Sequence, residues 1–267
     1  MRVGIVLGVA ACAGCSLLVD TGGLSDDERT SGDASRTTDA DADASAGPDG
    51  GGSDARDDAM DAGSALIGDW PFDDGTGTTA MDVSGHDHHA VLFGGTWGAD
   101  RAGSSGRALH LAGGANDYAS VAAHADFDRP TGAKLTMMAW VRFDDTPSHE
   151  IVFNVAFGGQ EAAYGIELQN ATTLTYWDGN AHVAEATIPN VVGAWHHFGV
   201  VVDGAQARVY FDGARVGQGT ADVTPRVATQ ILFGHSNWGG YLVGAIDQAR
   251  FYRAALTDAE LLAEKNR

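Results

Sequence analysis

The chain alternates apolar and polar residues with a period of two in several short runs, which is the pattern of half-buried β-strands. The alternation is clearest in residues 66–72, 108–111 and 135–143. In the last run the apolar residues at odd positions would all lie on one face of a strand. These three segments are predicted to be strands.

A second group of apolar runs lies closer together in the sequence, at 198–202, 207–211 and 214–216. They are separated by the Asp-Gly pairs at 203–204 and 212–213. Asp-Gly pairs tolerate positive φ and therefore close tight hairpins. This part of the chain is predicted to be an antiparallel meander.

The end of the chain has the one clear helix signal. Thr257 and Glu260 have the spacing of a capping box, and Leu261 and Leu262 supply an apolar stripe behind it. Many short strands with one small helix predict an all-β domain over residues 65–267. The predicted fold class is a two-sheet antiparallel sandwich of the jelly-roll type with one short C-terminal helix.

The first segment, residues 1–15, reads as a signal peptide. Its uncharged apolar run, 3–13, is too short to span a bilayer as a helix. Small residues precede Cys12 and Cys15, and this resembles the lipobox of bacterial lipoproteins. We expect acylation at Cys15, with Cys12 as the alternative; an ordinary secreted protein or an N-terminal helix are the other interpretations. Aspartate follows neither cysteine, so an outer-membrane lipoprotein of a bacterial cell envelope is expected, with the membrane as a partner through the lipid.

Residues 16–64 are predicted to be a disordered acidic tether. From 21 to 64 the chain has eleven aspartates and one glutamate against three arginines, a net charge of −9, and two large apolar side chains. Such a segment buries too little apolar area to offset the entropy of ordering it. It would hold the following domain away from the membrane surface.

Charge and cysteine content exclude two classes of function. The 267 residues include 36 acidic and 16 basic side chains, a net charge of −20, and a nucleic acid would be repelled by such a surface. Both cysteines lie in residues 1–15, so the domain has neither a disulfide nor a redox-active thiol. It must be held together by core packing, or by packing with a metal.

Several short motifs in residues 65–267 resemble, in their order and spacing, the laminin-G-like and concanavalin A-like jelly rolls. The resemblance implies the sandwich fold and a general role in binding glycans or proteins, without naming a ligand. In the loop after Gly85, where the family usually has Asn and Gly, this chain has His86, His88 and His89. The motifs that carry the resemblance are WPFDDGTG at 70–77, DVSG at 82–85, AL at 108–109, WV at 140–141, WHH at 195–197, YFDG at 210–213 and GAIDQARFY at 244–252.

A calcium site is predicted from the acidic residues of this domain. Strand alternation places Asp247 on a face with Ala245, Ala249 and Phe251, where a carboxylate needs a partner. Asp82, the carbonyl groups of the loop 82–85, and Asp74 or Asp73 would complete an oxygen site suited to Ca²⁺. The family resemblance implies a structural ion near the first and last strands. The alternative is that Asp247 accepts backbone N–H groups or pairs with an arginine such as Arg107.

The histidine patterns indicate a zinc site less strongly than the acidic residues indicate a calcium site. His86, His88 and His89 could bind zinc or copper, but without ligands at a matching spacing we interpret them as solvated loop residues. The segment that begins His149-Glu150 resembles the start of a zinc-protease motif, yet Phe153 replaces its second histidine.

The sequence lacks the paired carboxylates expected of a glycan-cleaving enzyme of this fold. Concanavalin A-like glycan hydrolases use paired carboxylates one or a few residues apart on a strand, whereas Glu161 and Glu167 are too far apart in sequence and Glu150 has no such pair. We therefore predict no enzymatic activity. A glycan-cleaving enzyme and a structural envelope protein remain the alternatives.

The tryptophans divide into two groups. Trp70, Trp140 and Trp195 lie in alternating patterns and are predicted to be core. Trp177 and Trp238 lie instead among turn residues, close to Asn180 and Asn237 respectively. An aromatic face beside amide and carboxyl groups suits a sugar ring, and these four residues are the predicted ligand-binding set. The alternative is that each tryptophan folds back to cover the end of the sandwich. The predicted function is thus a membrane-anchored, non-enzymatic module that binds a glycan or a protein.

Overall fold

The computed structural model describes residues 65–158, 163–236 and 239–267. The predicted signal peptide with Cys12 and Cys15, the tether at 16–64, and the ligand candidates Asn237 and Trp238 lie outside the described residues. Their roles stay predictions. Among the described residues, no helix has the length and apolar character needed to cross a membrane.

The described residues form sixteen strands, a 3-10 helix at Ala125–Phe127, and one α-helix, α1, at Asp258–Lys265. The strands are β1 Leu66–Trp70, β2 Thr79–Ala80, β3 Ala90–Phe93, β4 Thr96–Gly98, β5 Ala108–Ala112, β6 Tyr118–Ala122, β7 Lys134–Phe143, β8 Glu150–Phe157, β9 Ala163–Asn170, β10 Thr173–Trp177, β11 His182–Thr187, β12 Trp195–Asp203, β13 Gln206–Phe211, β14 Ala214–Thr220, β15 Ala228–Phe233 and β16 Val243–Tyr252.

These strands make two antiparallel sheets of eight. The first has the order β14-β13-β12-β7-β16-β5-β4, with β1 also paired to β16. The second has the order β11-β10-β9-β8-β15-β6-β3-β2. The predicted all-β jelly-roll sandwich with a short C-terminal helix is confirmed.

The core fills the space between the sheets and is centred on aromatic rings. Trp70 is fully buried, and its ring contacts Phe127, Phe153 and Phe233 at centroid distances of 6.4, 6.1 and 5.1 Å. The indole Nε1 donates to the carbonyl oxygen of His88 at 2.7 Å, so the polar atom of this side chain is satisfied inside the core. The prediction that Trp70 is a core residue is confirmed.

The same prediction is wrong for Trp140 and Trp195, which are half-buried and outside the core cluster. Met137, Ala139 and Val141 of β7 point into the core, so alternation turns Trp140 to the opposite face. There its ring lies 4.1 Å from the guanidinium carbon of Arg101.

Local turn and cap signals are reproduced. Asp212 and Gly213 both have positive φ, 50° and 83°, and join β13 to β14 as a two-residue hairpin loop. Thr257 and Glu260 form the predicted capping box of α1. The helix covers the outer face of the first sheet with a small apolar cluster of its own, made by Met138, Val201, Tyr210, Tyr252, Leu256 and Leu261.

Candidate functional site

A pocket of about 520 Å³ opens on the outer face of the second sheet, over β8 to β11. Its walls combine one indole, two imidazoles and one carboxylate with a glycine pair from the β15–β16 connection. The lining residues are Ser148, His149, Ile151, Glu167, Trp177, His182, Gly239 and Gly240.

Glu167 lies at the base of this group. Ile166 and Leu168 of β9 point into the core, so alternation turns Glu167 outward. Ile151 of β8 and Thr175 of β10 pair with it on either side, which places the carboxylate within the sheet and not at an edge. The residue is 4% exposed.

Two imidazoles converge on the Glu167 carboxylate. Nδ1 of His149 lies 3.1 Å from Oε1, and Nε2 of His182 lies 3.2 Å from Oε1 and 3.1 Å from Oε2. Both histidine residues are exposed to the pocket side, unlike the glutamate. We call His149, Glu167 and His182 the pocket cluster.

The backbone around His149 is shaped for this contact. His149 precedes β8 directly and has φ of 57°, in the left-handed region that few non-glycine residues adopt. A side chain at Gly240 would collide with the carbonyl oxygen of His149. The absence of a side chain at Gly240 therefore allows this lining residue to lie against the backbone of His149.

Of the four predicted ligand-binding residues, Trp177 lies in the pocket. Its ring centroid is 4.8 Å from that of His182, so the indole and the pocket cluster share one cavity. Asn180 is exposed and does not line the pocket; its backbone N–H donates to Asp178 Oδ1 at 2.9 Å in the β10–β11 turn. The structure therefore brings Trp177, but not Asn180, to the site.

Glu150, beside His149 in sequence, belongs to the other face of β8. It pairs with Leu168, a core residue, whereas Ile151 pairs with Glu167. Burial, helped by the negative charge of Asp145, raises the pKa of Glu150 to about 7. This carboxyl is not among the residues that line the pocket.

A second group of imidazoles surrounds Asp126, which lies in the 3-10 helix. Asp126 Oδ2 lies 2.9 Å from Nε2 of His88, 3.1 Å from Nδ1 of His124 and 3.7 Å from Nδ1 of His86. The His88 ring also packs against Phe127 at a centroid distance of 4.7 Å. We call His86, His88, His124 and Asp126 the loop cluster.

The structure corrects the prediction that His86, His88 and His89 are all solvated loop residues. His88 is buried, and only His86 is solvated as expected. His89 is partly buried, and its Nδ1 accepts the backbone N–H of Asp82 at 3.1 Å. Burial alone would raise the pKa of Asp126, but the hydrogen bond with His88 and the charges of the neighbouring imidazoles lower it.

The face predicted for Asp247 is wrong. A bulge between Asp247 and Arg250, with Gln248 at φ of 49°, shifts the alternation, so Ile246 and Ala249 both point into the core. Asp247 lies beside Arg101, whose Nε is 3.4 Å from its Oδ2. Burial raises the pKa of Asp247 to about 6 even though Arg101 opposes the shift.

The predicted calcium ligands do not come together as one group. Asp82 accepts hydrogen bonds from the backbone N–H groups of Asp69, Ser84 and His88 and from the Ser84 hydroxyl. Asp74 accepts the backbone N–H of Met81. Among the described residues, Asp74, Asp82 and Asp247 are not a set whose oxygens all lie within 4.8 Å of one another.

The arginine that pairs with Asp247 is Arg101, whereas Arg107 pairs with Asp73. A guanidinium already supplies the positive charge beside Asp247, so the arginine alternative fits that residue better than the ion does. Calcium at Asp74 and Asp82 stays a prediction.

The family of the chain follows from its sequence over this fold. The family model described as the concanavalin A-like lectin/glucanases superfamily matches residues 113–262, which include the whole pocket cluster. The chain belongs to this superfamily. No curated protein matches the chain.

Solved structures with a similar fold include binding domains and an enzyme. The binding domain of Paraclostridial Mosquitocidal Protein 1 has a TM-score of 0.58 and 14% identity, over 76% of this chain and 52% of that chain. Domain 4 of AbnA, a GH43 extracellular arabinanase from Geobacillus stearothermophilus, in complex with arabinotriose, has a TM-score of 0.57 and 19% identity, over 75% of this chain and 98% of that chain.

A sialidase from Trypanosoma rangeli has a TM-score of 0.60 and 16% identity, over 76% of this chain and 32% of the sialidase. This chain thus spans about half of the mosquitocidal binding domain and about a third of the sialidase. At these identities the likeness is one of fold.

Proposed function

We propose that the concanavalin A-like domain is a glycan-binding module whose sugar ligand occupies the pocket beside Trp177. The observation that carries this proposal is the pocket itself, since about 520 Å³ lies within the size range of small-ligand sites. An indole wall and a group of polar side chains face the same space. That combination is what a sugar ring requires.

The chemistry of the walls supports a carbohydrate over a purely apolar ligand. The C–H face of a pyranose or furanose ring packs on an aromatic side chain, and its hydroxyl groups need donors and acceptors nearby. His149, Glu167 and His182 supply both kinds of group beside Trp177. The structure of domain 4 of AbnA with arabinotriose supports the same class of ligand for this fold.

We favour binding over cleavage. Glycoside hydrolysis by the usual route employs two carboxyl groups that act together across the scissile bond. The carboxylate in this pocket, Glu167, contacts two imidazoles and is fixed between them. This arrangement suits recognition.

The module would act at the bacterial cell envelope. This part of the proposal rests on the lipobox-like sequence before Cys15 and on the acidic segment at 16–64. Replacing Cys15 with alanine should release the protein from the membrane fraction of the producing cell. Retention of the Cys15→Ala protein together with loss of the Cys12→Ala protein would move the anchor to Cys12.

Binding of the purified full chain to a glycan array that includes arabino-oligosaccharides and sialylated glycans tests the ligand class. We expect retention of at least one glycan class, with affinity reduced at least tenfold by Trp177→Ala. The reason is that loss of an aromatic platform costs about 1.4 kcal/mol or more of binding free energy.

Trp195→Ala is the matched control, because Trp195 is a half-buried tryptophan of the first sheet that does not line the pocket. It should leave glycan affinity unchanged. Equal losses in the two variants, or glycan binding that survives Trp177→Ala, would exclude this pocket as the sugar site.

A further inference from the structure

We propose that the pocket cluster binds one transition-metal ion of the Zn²⁺ type, held by His149 Nδ1, Glu167 and His182 Nε2, with an open coordination position facing the pocket. The inference goes beyond glycan binding and does not depend on it, because metal binding is measured without a sugar. It rests on the donor set, its geometry and its surroundings.

The donor set matches zinc chemistry. Two imidazoles and one carboxylate make up the three protein ligands of many zinc sites that keep a fourth position for water or another ligand. A calcium ion instead takes six to eight oxygen ligands. The mixed nitrogen and oxygen donors therefore favour a transition metal.

The distances are those of ligands around a common centre. In a tetrahedral site with metal–ligand bonds of about 2.1 Å, neighbouring ligand atoms lie about 3.3 to 3.4 Å apart. The two imidazole nitrogens lie 3.1 and 3.2 Å from Glu167 Oε1. One donor atom from each of the three residues lies within 4.8 Å of the other two. The His149 side chain is 65% exposed, which leaves its ring room to reorient toward an ion.

The backbone positions of the three ligands are fixed by the sheet. The side of the cluster that faces the pocket is accessible. Glu167 lies inside the second sheet between β8 and β10, and His182 is the first residue of β11. The backbone N–H of His149 donates to the carbonyl oxygen of Gln169 in β9 at 3.3 Å. The fourth direction leads into the pocket lined by Trp177.

The loop cluster has the same residue types but is a weaker candidate. Nδ1 of His124 already accepts the backbone N–H of Asp126 at 3.2 Å, as the cap of the 3-10 helix. The His88 ring is packed against both His124 and Phe127. These two imidazoles therefore stabilise the local fold. The loop cluster provides an internal control for the metal-binding experiment.

Calorimetric titration with Zn²⁺ tests the proposal. The protein is the full chain carrying Cys12→Ala and Cys15→Ala, which removes both thiols, freed of metal by a chelator that is then dialysed away. We expect one equivalent of Zn²⁺ to bind at the pocket cluster. Titration with Co²⁺ should give the intense visible absorption of a four-coordinate site.

Two substitutions that preserve size test the ligands separately. Glu167→Gln and His182→Gln should each weaken Zn²⁺ binding at least tenfold, and circular dichroism checks that each variant is folded. His86→Ala combined with His124→Ala dismantles the exposed part of the loop cluster and should leave the affinity unchanged. The proposal is overturned if Zn²⁺ does not bind, if both pocket variants bind it as the parent does, or if the loop-cluster variant abolishes binding.

Discussion

The two histidine clusters use the same chemistry with opposite exposure. In the pocket cluster the carboxylate side chain is 6% exposed, and the imidazoles of His149 and His182 are 65% and 34% exposed. In the loop cluster the Asp126 carboxylate is 31% exposed and the central imidazole, that of His88, is 8% exposed. In the pocket cluster the exposed imidazoles around buried Glu167 are accessible to a ligand. In the loop cluster the buried imidazole of His88, paired with the more exposed Asp126, holds the loop against the core.

The largest expected difference between the clusters is in stability. His88→Ala removes a buried ring that contacts Phe127 and leaves Asp126 without its closest partner, so we expect a loss of about 2–3 kcal/mol in the free energy of unfolding. His182→Ala removes a ring that is 34% exposed but contacts both oxygens of the buried Glu167 carboxylate, which keeps His149 as a partner, so we expect a smaller loss of about 1 kcal/mol. Urea unfolding of the metal-free protein measures both.

His86→Ala is the control within the loop cluster, because the His86 side chain is 41% exposed and lies 3.7 Å from Asp126. It should cost less than about 0.5 kcal/mol. A His182→Ala protein that is destabilised as much as the His88→Ala protein would remove the distinction between a ligand cluster and a structural one.

Strand alternation and turn chemistry predicted the fold because both act within a few residues. The hairpin at Asp212 and Gly213 and the cap at Thr257 are read from neighbouring side chains alone. The face of Asp247 was mispredicted because a bulge at Gln248 inserts a residue into the alternation, and neither glycine nor proline marks it in the sequence.

The site was predictable only in part for the same reason. Trp177 was found because it lies at a turn beside polar residues, a local signal. The pocket cluster was missed because His149 directly precedes β8 whereas Glu167 and His182 belong to β9 and β11, and only the strand order and register bring them together. Their separations of 18 and 15 positions match no short ligand motif.

Acid should distinguish the loop cluster from the remainder of the fold. Because its neighbours lower the pKa of Asp126 below the 3.8 of an unperturbed aspartate, the unfolded state binds this proton more readily than the folded state. The resulting stabilisation is fully present above about pH 4 and is lost as the pH falls through the folded-state pKa.

Urea midpoints measured from pH 5 down to pH 2.5 check this. The parent should lose stability more steeply than Asp126→Asn, with the two curves approaching each other at the acid end. Parallel curves over the whole range would mean that the Asp126 carboxylate contributes no pH-dependent stability to the loop cluster.

The smallest expected effect concerns calcium. The ion would bind in the loop that follows Asp82, which leads directly to His86 of the loop cluster. Both Asp82 oxygens already accept hydrogen bonds, and Asp247 pairs with Arg101, so any ion would rely on Asp74, Asp82 and loop carbonyl groups. We expect a dissociation constant of about 1 mM, as in weak extracellular calcium modules. At about 1 mM free Ca²⁺ the gain is then about 0.4 kcal/mol, or a rise in Tm of about 1 °C.

Differential scanning calorimetry with Ca²⁺ or with a chelator measures this shift, and Asp74→Asn is the matched variant. The Asp74 carboxylate makes one long contact, at 3.2 to 3.3 Å, so its replacement should change the calcium-free Tm little while abolishing the increment. An identical Tm with and without calcium in the parent would show that the hydrogen bonds to Asp82 suffice to order this loop.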